Sequence, residues 1–262
     1  MKKEFLDDKN GIDALEELFS RRLRTNYFSP KEDLYDLLPK KRLAKQEFAG
    51  GSYLFCGQDN REDVYYFVEE GAVLPEMEKG TLPLILSLVQ MEGKVEVPSR
   101  EVWEAIGFEP YLTRRRMYLT SESLFQQERN PVYAGEEWAE EISRLMQKSF
   151  EPYTAQHLSM TEVQEEIRKR QILVVTQADK LLGFLHFETA KKTSILWHIA
   201  VEEEARGRGI GEGLVRDWLF AQEACVRRFV LWVREDNSSA RSMYKKIGFA
   251  ADGRLAPVMI KR

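Results

Sequence analysis

At 262 residues the chain is long for one compact core, and two domains of ordinary size are expected. Its 43% hydrophobic and 31% charged residues exclude a disordered chain, and no apolar run nears the roughly 20 residues that a bilayer-spanning helix needs. The net charge of −4 disfavours nucleic acid as a partner, while two distant cysteines (Cys56, Cys225) and three histidines without HxxxH-type spacing argue against a disulfide or a metal centre.

The amino terminus turns acidic at Asp7 and Asp8, where a secretory signal needs an apolar stretch, so a cytoplasmic protein without a membrane partner is expected. Over residues 13–24, Leu15, Leu18, Phe19 and Leu23 recur at helical spacing. Residues 29–50 read as short helices or ordered loop. Residues 52–56 and 63–68 read as strands, the latter through Val64, Tyr65, Tyr66, Phe67 and Val68. Residues 82–89 form an apolar run of strand length opened by Pro83. Pro98 and Ser99 start a helix with Val102, Trp103 and Ile106 on one face, stopped by Gly107. Residues 117–120 read as a strand, Arg114, Arg115 and Arg116 ahead of it as a solvated basic face, and residues 121–130 as the join between halves.

The second half alternates more plainly. Helices are expected over 136–149, with Trp138, Ile142, Leu145 and Met146 on one face, and over 161–170 behind a cap at Ser159 or Thr161. Strands over 172–176, 181–188 and 194–201, joined by short polar turns, form an antiparallel meander. A glycine-rich turn at 206–213 leads into a helix over 212–224, a buried strand over 229–233, and a last helix over 237–247 closed by Gly248. The crossover from 194 to 233 should pair its strands in parallel. The segment from Arg100 to Phe108 also lays over the one from Arg241 to Phe249, so the first half reads as a degenerate copy, with Trp103 in the place of Tyr244 and Glu96 in that of Asn237.

Two constellations carry chemistry. In Arg206-Gly207-Arg208-Gly209-Ile210-Gly211 the glycines free main-chain N–H groups at a strand-to-helix junction, and the helix adds the positive end of its dipole: the makings of a phosphate site. The spacing matches neither the dinucleotide fingerprint G-x-G-x-x-G nor a Walker loop, since no Gly-Lys-Ser/Thr occurs. A turn that only joins a strand to a helix is the plainer alternative. After the next strand, Asn237, Ala240 and Tyr244 share one helix face; singly, Asn237 reads as an N-cap and Tyr244 as a core residue.

Jointly the two resemble the GNAT superfamily of N-acetyltransferases. Its R/Q-x-x-G-x-G/A signature matches Arg206, Gly209 and Gly211, and its N-x-x-A-x-x-x-Y-x-x-x-G-F pattern matches Asn237, Ala240, Tyr244, Gly248 and Phe249 without a gap. The resemblance covers roughly residues 130–262. It implies acetyl-coenzyme A as the donor and an α/β (α+β) fold: a mixed, splayed central sheet flanked by helices, with a second, degenerate GNAT-like domain ahead of it, divided as 1–125 and 126–262. The pantetheine arm is expected along Ile199, Ala200 and Val201, as an added strand whose thioester carbonyl a main-chain N–H polarises. The diphosphate is expected on Arg206, Gly207, Arg208, Gly209, Ile210 and Gly211, with Asn237, Ala240 and Tyr244 alongside.

On the same resemblance Tyr244 protonates the leaving thiolate. His198 is carried as the general base, with His186 and Glu188 on the neighbouring strand, and a satisfied or exposed histidine as the plainer alternative. Glu202, Glu203 and Glu204 read as a solvated acidic loop. The expected acceptor is an amine of a small molecule, peptide or protein; a catalytically silent coenzyme-A-binding sensor or scaffold is the rival, and a longer acyl donor a third reading.

Overall fold

The computed structural model describes the chain apart from residues 1, 9, 79, 95–97, 124–127 and 156. It divides into two compact units, Met1–Thr113 with Leu255–Arg262, and Arg114–Arg254. The boundary expected between residues 125 and 126, and Glu96 of the overlay, lie outside the described residues. Among the described residues no helix is long and apolar enough to cross a membrane, and no cluster of metal-ligating side chains occurs.

The first unit runs β1 (Glu4–Leu6), α1 (Gly11–Ser20), β2 (Arg24–Thr25), α2 (Glu32–Tyr35), β3 (Leu43–Phe48), β4 (Gly51–Gly57), β5 (Glu62–Val68), β6 (Leu84–Ser87), β7 (Gln90–Met91), α3 (Arg100–Ala105) and the start of β8 (Glu109–Thr120). Strands β3, β4 and β5 form an antiparallel meander, and β6 joins β5 in parallel. The strand β3 was not expected. Its inward Gln46 breaks the apolar pattern, yet it is satisfied: Nε2 donates to Glu76 O at 3.0 Å and Oε1 accepts from Glu78 N at 2.9 Å. Trp103, Tyr53, Phe55 and Phe108 fill the core, where their rings meet edge-on or tilted.

The second unit holds a 3₁₀ turn (Glu136–Trp138), α4 (Ala139–Ser149), α5 (Met160–Arg168), β9 (Ile172–Gln177), β10 (Lys180–Ala190), β11 (Thr193–Val201), α6 (Ile210–Gln222), β12 (Arg228–Arg234), α7 (Ser238–Ile247) and the start of β13 (Ala250–Lys261). Its sheet is ordered β8-β12-β11-β10-β9, antiparallel except for the parallel β11/β12 pair, as the crossover required. Side chains alternate across it. Val174, Phe184 and Ala200 pack under α4 and α5, while Leu173, Leu185, Leu196 and Leu231 pack under α6 and α7. Ser159 opens α5 with a capping box, its side chain accepting from Glu162 N while the Glu162 carboxylate accepts from Ser159 N.

Two expectations need correction. The arginine run is no solvated face: it lies in β8, half-buried, with Arg114 donating to Thr154, Arg115 to Glu235, and Arg116 Nε to Asp252 Oδ2 at 2.8 Å. Because each head finds an acceptor, β8 extends well ahead of residue 117. Nor is Glu202 part of a solvated loop, since it is largely buried against Lys148 Nζ at 3.0 Å; Glu203 and Glu204 are exposed, as expected. Strand β13 was missed altogether.

Candidate acyl-donor site

The site begins with a register. Strand β11 pairs with β10 along its whole length, but with β12 only from Thr193↔Arg228 to Leu196↔Leu231. Beyond Leu196 the two parallel strands part. At the same point the β10/β11 register passes from His186↔His198 to Phe187↔Leu196, which makes Trp197 the extra residue of a bulge. A bulge bends its strand and raises the local twist, the physical cause of such a parting. Glu202 N–H donates to Leu182 O on the β10 side. Two-residue alternation therefore turns the main-chain groups of Ile199 and Val201 toward the gap and those of Ala200 toward β10. Consistently, a Cβ on Gly183 of β10 would lie 2.8 Å from Ala200 O, so only glycine fits there.

Strand β11 then leads into the glycine turn. Gly207 and Gly209 hold φ of +75° and +79°, and a Cβ at either would meet nothing within 4 Å, so the space above both is open. Helix α6 starts at Ile210, two residues earlier than its sequence pattern suggested, with Gly209 as an N-cap and no side-chain cap. Its first-turn N–H groups thus face outward unclaimed by any capping side chain. Arg206 Nε donates to Val201 O at 3.2 Å and Arg208 Nη2 to Glu204 O at 2.9 Å, tying both arginines to the turn. Glu212, in the first turn of α6, would oppose an anion, but Lys246 and Arg216 pair with it and hold its carboxyl below the ordinary range. Helix α6 is fixed to the sheet by Trp218 Nε1, which donates to Ser194 Oγ at 3.0 Å in the core.

Helix α7 borders the same place. A Cβ on Gly211 would stand 3.6 Å from Met243 Sδ and 3.8 Å from Val201 Cγ2, so the turn, the end of β11 and α7 converge. Asn237 is the N-cap, its Oδ1 accepting from Ala240 N at 3.0 Å. Tyr244 is 3% exposed and packs edge-on to Phe249. Burial pushes its phenol well above the ordinary range.

His198 and His186 are both 5% exposed and lie on the α4/α5 side of the sheet. Their rings stack, with Nδ1 atoms 3.1 Å apart, and the ring of Phe150 meets His198 edge-on. His186 Nε2 lies 3.5 Å from Glu166 Oε2, and this contact, ahead of Lys169, holds the Glu166 carboxyl below its ordinary range against the cost of burial. Glu188 is exposed and accepts from Trp197 Nε1 at 3.2 Å. Sequence reasoning missed Glu166: beside Glu165 on an amphipathic helix it reads as one more solvated charge.

The first unit repeats the pattern with its slot closed. Helix α3 ends like α7: Gly107 and Gly248 both have positive φ, and Phe108 N and Phe249 N donate to Trp103 O and Tyr244 O. Strands β5 and β6 pair only from Glu62↔Leu84 to Val64↔Leu86, after which β2 takes the freed edge of β5. Asn26 fills the remaining space. Its Nδ2 donates to Val64 O and Ser87 O, both at 3.1 Å, and its Oδ1 accepts from Tyr66 N at 2.8 Å. No helix occurs among the described residues between β5 and β6, so this unit lacks a counterpart of α6. Asn26→Ala should cost about 1–3 kcal/mol, because it leaves three buried main-chain groups unpaired; a urea unfolding midpoint equal to that of the unaltered protein would contradict this reading.

Residues 136–249 match the model of the acetyltransferase (GNAT) family. A segment of 85 residues, 31% of this chain, is 33% identical to the mycothiol acetyltransferase of Corynebacterium efficiens and spans 28% of that relative's length. Among solved structures the chain is similar to a GCN5-related N-acetyltransferase from Sphaerobacter thermophilus, with a TM-score of 0.65 at 13% identity, covering 99% of this chain and 95% of that one. It is also similar to a tandem GNAT protein from the clavulanic acid biosynthesis pathway, with a TM-score of 0.60 at 14% identity, covering 99% and 98%. At such identities the likeness is one of fold, and it extends over both units. The chain therefore carries, over residues 136–249, a domain of the acetyltransferase (GNAT) family.

Proposed function

We propose that the protein is an acetyl-coenzyme A-dependent N-acetyltransferase acting on an amine, with residues 126–262 as the working domain and 1–125 as a degenerate copy that has lost donor binding. The observation that carries this reading is the parting of β11 from β12 immediately ahead of an open, left-handed glycine turn. An extended pantetheine arm fits the parted edge as an added strand, and a diphosphate fits the space that a Cβ on Gly207 or Gly209 would take.

When bound, acetyl-coenzyme A supplies an acetyl thioester. The main-chain N–H groups of Ile199 and Val201, turned toward the gap, orient the arm and stabilise the negative charge that grows on the carbonyl oxygen. An alkylamine with a pKa of about 10.4 is mostly protonated at neutral pH and sheds that proton to water before it attacks; His198 takes the second proton, released as the amide bond forms. Tyr244, a phenol that carries its proton at neutral pH, donates to the departing sulfur. Arg206 and Arg208 flank the glycines with positive charge.

Thiol release from acetyl-coenzyme A, measured with a panel of polyamines, aminoglycosides and peptides, tests the function. Release that depends on the amine is the expected result. Coenzyme A binding with no release from any acceptor favours the silent sensor instead. Calorimetry should find one coenzyme A per chain, because Asn26 and β2 occupy the slot of the first unit; two sites would contradict its degeneracy.

A further inference from the structure

The side of the sheet turned away from α6 and α7 has its own chemistry where β11 leaves β12. On β10, Leu185 and Phe187 pack under α6 and α7, so alternation turns Glu188 to the α4/α5 side. On β12, Leu231 and Val233 pack under the same two helices, so Val230 and Trp232 share the side of Glu188. Register sets Glu188 opposite Ile195, and Ile195 opposite Val230. One residue past the last pair, Leu196↔Leu231, stand Trp197 and Trp232, at the mouth of the gap. Trp197 turns to this side too, because its Nε1 donates to Glu188 Oε2 at 3.2 Å.

Trp197 is the most exposed of the five tryptophans, at 44%. The bond from its N–H edge fixes the ring, and the carbon face it then offers is the part of an indole that attracts a cation. Glu188 is exposed, and among the described residues no cation forms an ion pair with it. Lys169 feels its pull, but Lys169 Nζ pairs with Glu166 Oε1 at 2.8 Å. The opposite end of the face has the other sign. There Arg116 Nε and Arg228 Nη2 share Asp252 Oδ2 at 2.8 and 3.2 Å, and Arg116 stands 5.9 Å from the Trp232 ring. Two guanidinium groups on one carboxylate leave positive charge at β8, which steers a cation toward Glu188.

Resting on the function proposed above, we propose that Trp197 and Glu188 are specificity-determining residues of the acceptor site, which hold a second ammonium group of an alkane diamine or polyamine. The reacting amine then lies in the gap beside Ile199, two residues along β11. At about 3.3 Å per residue the two nitrogens stand about 7 Å apart. A chain of about four or five carbons spans that distance, at roughly 1.25 Å of length per bond. With a pKa of about 10.4 the distal amine keeps its charge, while the reacting one sheds its proton to water.

Three amines of nearly one length test the chemistry: 1,4-diaminobutane, 1-aminobutane and 4-aminobutanoate, whose far ends are a cation, a methyl group and a carboxylate. By thiol release, kcat/KM should be at least about tenfold higher for the diamine than for either of the others. Glu188→Gln keeps an acceptor for Trp197 Nε1 and removes the charge, and Trp197→Leu removes the ring. Each should raise the diamine KM about tenfold with little change in its kcat, because the contact is the same in ground and transition states. Trp197→Phe, which restores a ring face, should recover part of the loss. Equal rates for the diamine and 1-aminobutane, a preference for 4-aminobutanoate, or a diamine preference that survives both substitutions overturns the proposal.

Calorimetry with 1,4-diaminobutane and coenzyme A needs no turnover. Binding that Glu188→Gln weakens about tenfold is expected; no binding, or binding indifferent to the substitution, overturns the proposal. If no amine supports thiol release, the acetyltransferase reading fails on its own, while the calorimetry still decides this one.

Discussion

Replacing Gly209 by Val is expected to weaken coenzyme A binding by at least about 100-fold. Two causes act together. At φ of +79° a β-branched residue is strained by roughly 1–3 kcal/mol, so the turn relaxes to another conformation and its N–H groups no longer converge. If the turn instead keeps its shape, the branched side chain occupies the open space over residue 209, where the diphosphate is to lie. Each 1.4 kcal/mol is a factor of ten in Kd, so strain and lost contacts readily reach that size. Isothermal titration with coenzyme A measures it, and circular dichroism checks that the exposed turn has not cost the fold. Normal affinity in a folded Gly209→Val protein would place the diphosphate elsewhere.

Tyr244→Phe should act on the opposite parameter. The ring is part of the core, against Phe249, and phenylalanine fills the same volume, so stability and coenzyme A affinity should change little. What disappears is the hydroxyl proton, which a phenol carries at neutral pH. Loss of a positioned acid lowers kcat by roughly 10²–10⁴. Thiol release at saturating donor and acceptor measures the fall. A loss confined to donor affinity would assign Tyr244 to binding alone.

Much of the second unit was legible because its elements obey single periods. Strand β10 and strand β11 carry apolar side chains to both covered faces of the sheet, and Asn237 and Gly248 mark the ends of α7 by well-understood capping chemistry. Where polar residues are satisfied indoors, the pattern failed. Gln46 hid β3, the three ion-paired arginines hid most of β8, and the polar start of β13, Ala250-Ala251-Asp252-Gly253-Arg254, hid a strand of twelve residues. Asp252 in that start is the partner of Arg116 and Arg228, so two of these misreadings share one cause.

The site divides in the same way. Glycines at positive φ are legible, since few other residues accept that conformation, and both Gly207 and Gly209 adopt it. The parting of β11 from β12 is a matter of register and of one extra residue at Trp197, which composition does not record. Asn26 is equally silent in sequence: a lone asparagine after a short strand reads as a turn, yet its amide closes the slot of the first unit. Glu166 acts across space on a strand far along the chain, and no spacing rule connects the two.

A crystal structure grown with coenzyme A bears most directly on the donor slot. One molecule per chain is expected, its diphosphate within hydrogen-bond distance of main-chain N–H groups between residues 207 and 211, and its pantetheine beside Ile199 and Val201 where β11 leaves β12. Coenzyme A lodged against β5 and β6 instead, or a second-unit slot that stays shut in its presence, would contradict it.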